Sequence, residues 1–165
     1  VVYTAWLKRT STWSTSVGGV SGAMPPVIGY CGITRTIDAG VILLFTILFL
    51  WQPPHFWALG IRRKDEYRHA GFPLLPVVKG VKRTKLQMLP YVSLLIPAGI
   101  LLYVYGYVGI IFAIVATVMG VVWLGICIAG LRAKDDTVWA RRAFIFSIQY
   151  LMVIVLVMII DTVRG

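Results

Sequence analysis

Asp65 and Glu66 stand side by side inside a basic run, with Arg62, Arg63 and Lys64 before them and Arg68 and His69 after. Carboxylate oxygens hold Mg²⁺ while leaving it water and phosphate oxygens. Guanidinium and ammonium groups clamp phosphate oxygens that the metal does not reach. Acid and base at these positions therefore suit a diphosphate head. The plainer alternative is a solvated basic loop lying on anionic lipid head groups.

A second group precedes it in "FLWQPPHFWALG". Gln52 and His55 are spaced i, i+3 and share one helical face, which Leu59 and Arg62 extend. Trp51, Phe56 and Trp57 surround them, and Pro53-Pro54 is expected to interrupt the helical hydrogen-bond ladder at this point. An ionisable side chain inside an apolar segment normally faces a cavity or a partner. His55 is thus a candidate for binding, or a structural residue at the proline break. Tyr67, Trp51 and Trp57 are candidates for cation–π contact, or for simple packing.

The elements that position these residues are read from composition. With 59% hydrophobic and 13% charged residues and a mean hydropathy of +0.85, the chain is far more apolar than a soluble domain. No charged residue occurs between Leu86 and Leu131. At roughly 20 apolar residues per crossing, that stretch alone holds two spans. Spans are expected at 17–33, 39–60, 88–106, 107–131 and 143–161, all helical because lipid offers the backbone no hydrogen-bond partner. Runs such as "IVATVMGVVWLGICIAG" lack the alternation of a membrane barrel. The fold class is all-α: one polytopic transmembrane bundle covering 1–165.

A net charge of +10 raises the question of nucleic acid, but its distribution argues against it. Lys8, Arg9, the eight basic residues from Arg62 to Lys85, and Arg132, Lys134, Arg141 and Arg142 fall in alternate gaps. The other gaps hold only Arg35 and Arg164. The positive-inside rule then places the 8–16, 61–87 and 132–142 loops in the cytoplasm, with membrane lipid as the surroundings. Cys31 and Cys127 lie in different spans with no metal-ligand spacing, so both read as structural thiols. Gly18 and Gly22 form a small-xxx-small face for close helix packing, or a pocket wall needing slim backbone, and Pro25-Pro26 after them is expected to break the helical hydrogen-bond ladder. Gly71, Pro73 and Pro76 give the loop after Glu66 a defined shape. "VVYTAWL" reads as the end of an earlier helix, so an upstream half of the same protein is expected.

"WLKRTSTWSTSVGGVSGAMPPVIGY", "FLWQPPHFWALGIRRKDEYRHAGFPLLPVV" and "TKLQMLPY" resemble the protohaem IX farnesyltransferase family of UbiA-type intramembrane prenyltransferases. The resemblance runs from about Tyr3 to Tyr91; beyond it only span number and hydropathy agree. It implies the second half of a nine-helix bundle in a bacterial cell membrane, and a piece inactive by itself. It further implies that farnesyl diphosphate is joined to a vinyl group of protohaem IX, giving haem O for haem A and cytochrome oxidase biogenesis. Asp65 and Glu66 would hold Mg²⁺ and, with Tyr67, serve catalysis. Lys8, Arg9, Arg62, Arg63 and Lys64 would clamp diphosphate, and Trp51, Gln52, His55 and Trp57 would line the substrate cavity.

Members often space the second pair of carboxylates four apart, whereas Ile61 and Arg62 stand four before Asp65 and Glu66, leaving those two alone to serve. Thr15 or Ser16 takes any polar role where the family commonly has Asn before the glycines. Two alternatives remain. One is a family member acting on a quinone-type aromatic acceptor, against which His55 argues because such an acceptor needs no haem-compatible ligand. The other is a non-enzymatic membrane subunit.

Overall fold

Residues 14–71 and 74–162 are described by the computed structural model, with side chains from residue 18 onward. Their helices are α1 (Ser14–Thr34), α2 (Ala39–Arg62), α3 (Lys64–His69), α4 (Leu75–Val78), α5 (Val81–Val104), α6 (Ile110–Gly130) and α7 (Asp136–Ile160). No strand occurs among them beyond an isolated bridge between Val108 and Thr162. Helices α2, α5, α6 and α7 are each long and apolar enough to cross a membrane. At about 1.5 Å per residue the 21 residues of α1 also reach that length, but glycine, serine and proline dilute its apolar run. The chain is an integral membrane protein.

Helix α2 packs against α1, α5 and α7, while α6 packs against α5 and α7. Four helices thus form a closed ring, and α1 lies on its α2 side. The core holds Trp57, Met88, Leu95, Phe112, Trp123 and Tyr150. Ile114, Val118 and Val121 of α6 point outward. In a bilayer that arrangement is favourable, because hydrocarbon accepts apolar side chains as readily as the core does. Small residues bring α5 and α6 together: a Cβ on Gly99 would lie 3.0 Å from Ala116, and one on Gly120 would lie 2.7 Å from Ile96.

Two expectations are corrected. The helices run without interruption through Pro25-Pro26 and Pro53-Pro54. Each proline removes one donor, and the bonds on either side persist; Pro53 and Pro54 are fully buried, so packing holds the segment helical. On α1, Gly19 and Gly22 pack closely on α2, where they meet Phe49 and Gln52. The stretch read as loop 61–87 is mostly helical: it holds α3, α4 and the start of α5, which begins at Val81 after Gly80 at φ +82°. A residue with left-handed φ stops one helix and starts the next, and glycine takes that conformation at no steric cost.

Polar groups tie both ends of the ring. At one end Asp38 caps α2 by accepting from the Val41 N–H at 3.0 Å, and Tyr30 Oη donates to it at 2.9 Å. The Val41 bond, helped by Tyr30 against partial desolvation, holds the Asp38 carboxyl below the usual carboxylate range. Nearby, Asp161 accepts from the Phe112 N–H at 2.7 Å at the start of α6. At the other end Lys85 Nζ donates to Gly130 O at 2.6 Å and to Asp136 at 2.5 Å, and lies 4.6 Å from the Trp139 ring centre. That lysine joins the start of α5, the end of α6 and the start of α7.

Candidate functional site

The charged face of the site is built where α2 ends. Arg62 closes the helix, Arg63 turns the chain, and α3 carries Asp65 and Glu66 in its first turn, where carboxylates complement the helix dipole. Glu66 pairs back to Arg63 at 3.4 Å and Asp65 pairs forward to Arg68 at 3.9 Å. Adjacent residues on a helix diverge by about 100°, so the two carboxylates do not converge on one point. Both are well exposed, at 84% and 69%, and ion pairs in such positions contribute about 0–1 kcal/mol. A phosphate or a cation can therefore exchange these partners at little cost.

The shape of this face comes from the segment that follows. Gly71 has φ +70°, and α4 folds back so that Leu75 and Pro76 are buried on α2 and α5. Pro76 packs over Gly60, where a Cβ would meet its ring at 3.1 Å. His69 Nδ1 lies 2.7 Å from the Asp65 carbonyl oxygen, which keeps it local to α3. Tyr67 and Lys64 are half-buried on the same short helix, and Arg62 and Arg63 are exposed. Lys8 and Arg9 lie outside the described residues, as does Pro73; the side chains of Thr15 and Ser16 are likewise outside them.

Among the described residues no three His, Cys, Asp or Glu side chains gather into a metal-binding group. Asp65 and Glu66 provide hard oxygen donors of the type Mg²⁺ takes. Because the two diverge, each separately fits an ion that keeps several waters and shares its remaining positions with phosphate.

The second group lies lower on α2. His55 sits seven residues before Arg62, about 10 Å along the helix. Its ring stacks on Trp51 at 4.5 Å and on Phe144 of α7 at 4.7 Å, with Phe56 edge-on at 5.3 Å. Its Nδ1 lies 2.7 Å from Ser147 Oγ, and Trp51 Nε1 donates to the Ser147 carbonyl at 2.7 Å. The histidine is thus engaged with α7 and not with the backbone at the proline pair. Gln52 is buried on the neighbouring face, its amide filling the space that Gly22 leaves open. Trp57 is buried edge-on to Tyr91 at 5.4 Å, and its indole N–H has no partner among the described residues.

Trp51 and His55 therefore face α7, whereas Gln52 faces α1, so the expected common face of Gln52 and His55 is divided between two neighbouring helices. Asp65, Glu66, Arg62 and Arg63 lie together where α2 ends, and Trp57 belongs to the core between α2 and α5. Ser147 and Phe144 were not singled out from sequence. The available signal was a serine inside an otherwise apolar span, since a hydroxyl there needs a partner.

The UbiA prenyltransferase family model matches residues 1–148. "Protoheme IX farnesyltransferase 1" of Bacillus subtilis (strain 168) is 46% identical over 165 residues, covering 98% of this chain and 52% of the relative. "Protoheme IX farnesyltransferase" of Alkalihalophilus pseudofirmus is 49% identical over 160 residues, 97% of this chain and 50% of the relative. That of Edwardsiella ictaluri is 42% identical, with 97% and 54% covered. The chain spans about half the length of the curated relatives it matches. No solved structure matches.

Proposed function

Because the chain belongs to the UbiA prenyltransferase family, we propose that the protein transfers the farnesyl group of farnesyl diphosphate to a vinyl group of protohaem IX. The products are haem O and diphosphate, which places the reaction in haem A and cytochrome oxidase biogenesis. The observation that carries this reading is the similarity, at 42–49% identity along nearly the whole chain, to relatives all named as protohaem IX farnesyltransferases.

The chemistry divides along α2. At its charged end Arg62, Arg63 and Lys64, with Lys8 and Arg9 from upstream, would hold the diphosphate oxygens, and Asp65 and Glu66 would each offer a carboxylate to Mg²⁺. Mg²⁺ supplies charge neutralisation to the departing diphosphate. Fixed cationic groups aimed at the leaving group stabilise the charge that develops as the bond from C1 of the farnesyl chain to oxygen breaks. The vinyl carbon attacks C1, and the resulting benzylic-type cation takes hydroxide from water, releasing one proton and leaving a hydroxyethylfarnesyl substituent. The Trp51 and Tyr67 rings present electron-rich faces suited to a cation in a water-poor site.

His55 and Gln52, about 10 and 15 Å further along α2 from Arg62, lie too deep for the diphosphate and at a depth suited to the acceptor. Neutral imidazole is a common haem-iron ligand, and the flat aromatic surroundings of His55 suit a macrocycle.

The experiment uses the full-length protein in membranes, supplied with farnesyl diphosphate, haem and Mg²⁺. Diphosphate release with matched formation of hydroxyethylfarnesyl haem is expected by mass spectrometry. Farnesylation of a quinone precursor with haem left unchanged would replace this reading with the aromatic-acceptor one. Binding without diphosphate release would point to a non-enzymatic subunit.

A further inference from the structure

The bond between His55 and Ser147 decides which nitrogen of the histidine can bind anything else. Ser147 Oγ lies 2.6 Å from the Phe144 carbonyl oxygen and 2.7 Å from His55 Nδ1. A serine hydroxyl has one proton, and a carbonyl oxygen can only accept. Two oxygens at 2.6 Å without a proton between them repel, so the hydroxyl donates to Phe144. Its lone pair then faces His55 Nδ1, which must be the nitrogen that carries hydrogen. A neutral imidazole has one N–H, so Nε2 holds the lone pair. Nε2 has no hydrogen-bond partner among the described residues.

The ring is also fixed in direction. Trp51 covers one face and Phe144 stacks on the ring from α7, at interplanar angles of 19° and 26°. Trp51 is itself anchored to the Ser147 carbonyl. Ser147 is fully buried, so no water competes for its hydroxyl. One residue of α7 therefore sets both the tautomer and the orientation of a histidine on α2.

We infer that Ser147 is a positioning residue, which holds His55 as the Nδ1–H tautomer and presents Nε2 as an electron-pair donor to a Lewis-acidic centre. This rests on the reading of His55 as the group that faces the haem acceptor; on that reading the centre is the haem iron. Histidines that bind metals characteristically donate their second N–H to a neighbouring acceptor, and loss of that acceptor weakens the metal about 10–100-fold. Here the acceptor is a hydroxyl whose own proton is committed elsewhere, so it cannot reverse its role.

Two measurements on the full-length protein separate this inference from the reading beneath it. The first needs no haem: nitrogen NMR with ¹⁵N-labelled histidine, the His55 signals identified by their loss in His55→Ala. The wild type should show protonated Nδ1 and bare Nε2. Ser147→Ala should shift that balance, and Ser147→Thr should preserve it. A protonated Nε2 in the wild type, or an unchanged balance in Ser147→Ala, overturns the positioning role.

The second is titration with ferric haem, followed by absorption and electron paramagnetic resonance. Loss of the imidazole-ligated signature in His55→Ala, with about tenfold weaker binding in Ser147→Ala and recovery in Ser147→Thr, is expected. If His55→Ala abolishes ligation while Ser147→Ala leaves it unchanged, the positioning role fails alone. If His55→Ala leaves it unchanged, the assignment of His55 to the haem fails, and with it this use of Nε2.

Discussion

Asp65 and Glu66 are held only by exposed pairs to Arg68 and Arg63. Such pairs add little to stability, so these side chains can be changed without unfolding the protein. Asp65→Asn keeps size and hydrogen bonding and removes one charge. If Asp65 holds Mg²⁺-diphosphate, turnover of the full-length enzyme should fall by about a hundredfold or more, with an unchanged thermal melt. Assay at limiting Mg²⁺ checks this, and near-normal turnover there would remove Asp65 from the metal site. Removing Mg²⁺ with a chelator should suppress turnover in the wild type reversibly. At the same scale Gln52 differs from Asp65. It is buried on the face of α2 turned to α1, with its amide against Gly22, so changing it would disturb the α1–α2 contact and leave the charged end of α2 in place.

Between elements, Lys85 joins the start of α5 to the end of α6 and the start of α7. Its ammonium is nearly fully buried, with Asp136, the Gly130 carbonyl and the Trp139 ring around it. Breaking a buried ion pair by removing one partner is costly because the other is left uncompensated. Asp136 is 46% exposed and recovers part of its hydration, which lowers the penalty. Lys85→Met should therefore destabilise the protein by about 2 kcal/mol, seen as a lower melting temperature in detergent. Lys85→Met combined with Asp136→Asn should recover part of that loss, and a purely additive double variant would show that the two residues are not coupled. At the opposite end Asp38 acts through its cap on α2. Its carboxyl is depressed in the folded state, so the cap contributes above the carboxyl's unfolded pKa and is lost as pH falls through the folded value. Melting temperature should decline on acidification through that range, and Asp38→Asn should flatten the decline.

For the whole molecule, the ring of α2, α5, α6 and α7 gathers the charged ends on one side. Lys85, Gly130 and Asp136 meet there, while Asp38, Tyr107 and Asp161 lie at the other end. The basic residues concentrate in the 61–87 and 132–142 segments. On the positive-inside rule we propose that this end faces the cytoplasm. In a background without Cys31 and Cys127, Lys79→Cys should be shielded from a membrane-impermeant thiol reagent in intact cells, and Thr36→Cys should be labelled. The reverse pattern would invert the bundle and move the proposed diphosphate site to the outer surface.

The membrane class, the all-helical fold and the family were legible in the sequence because each depends on local features. Lipid demands long apolar helices, and "WQPPHFW" with "DEYRHAGFPLLPVV" is a contiguous pattern that needs no folding to be read. Candidate polar residues were legible for the same reason: Gln52, His55, Asp65 and Glu66 stand out against an apolar background. Which face of each helix turns inward was not legible. In water a helix shows its buried side by an apolar stripe, but in a bilayer both lipid and core are apolar and the stripe vanishes. Only the packed bundle showed that α1 presents Gly19 beside Gly22, that Trp57 turns into the core, and that Lys85 leaves the basic loop for a buried lock. Ser147 meets His55 across 92 positions of chain, a relation set by the register of α7 against α2 and by nothing local to either helix.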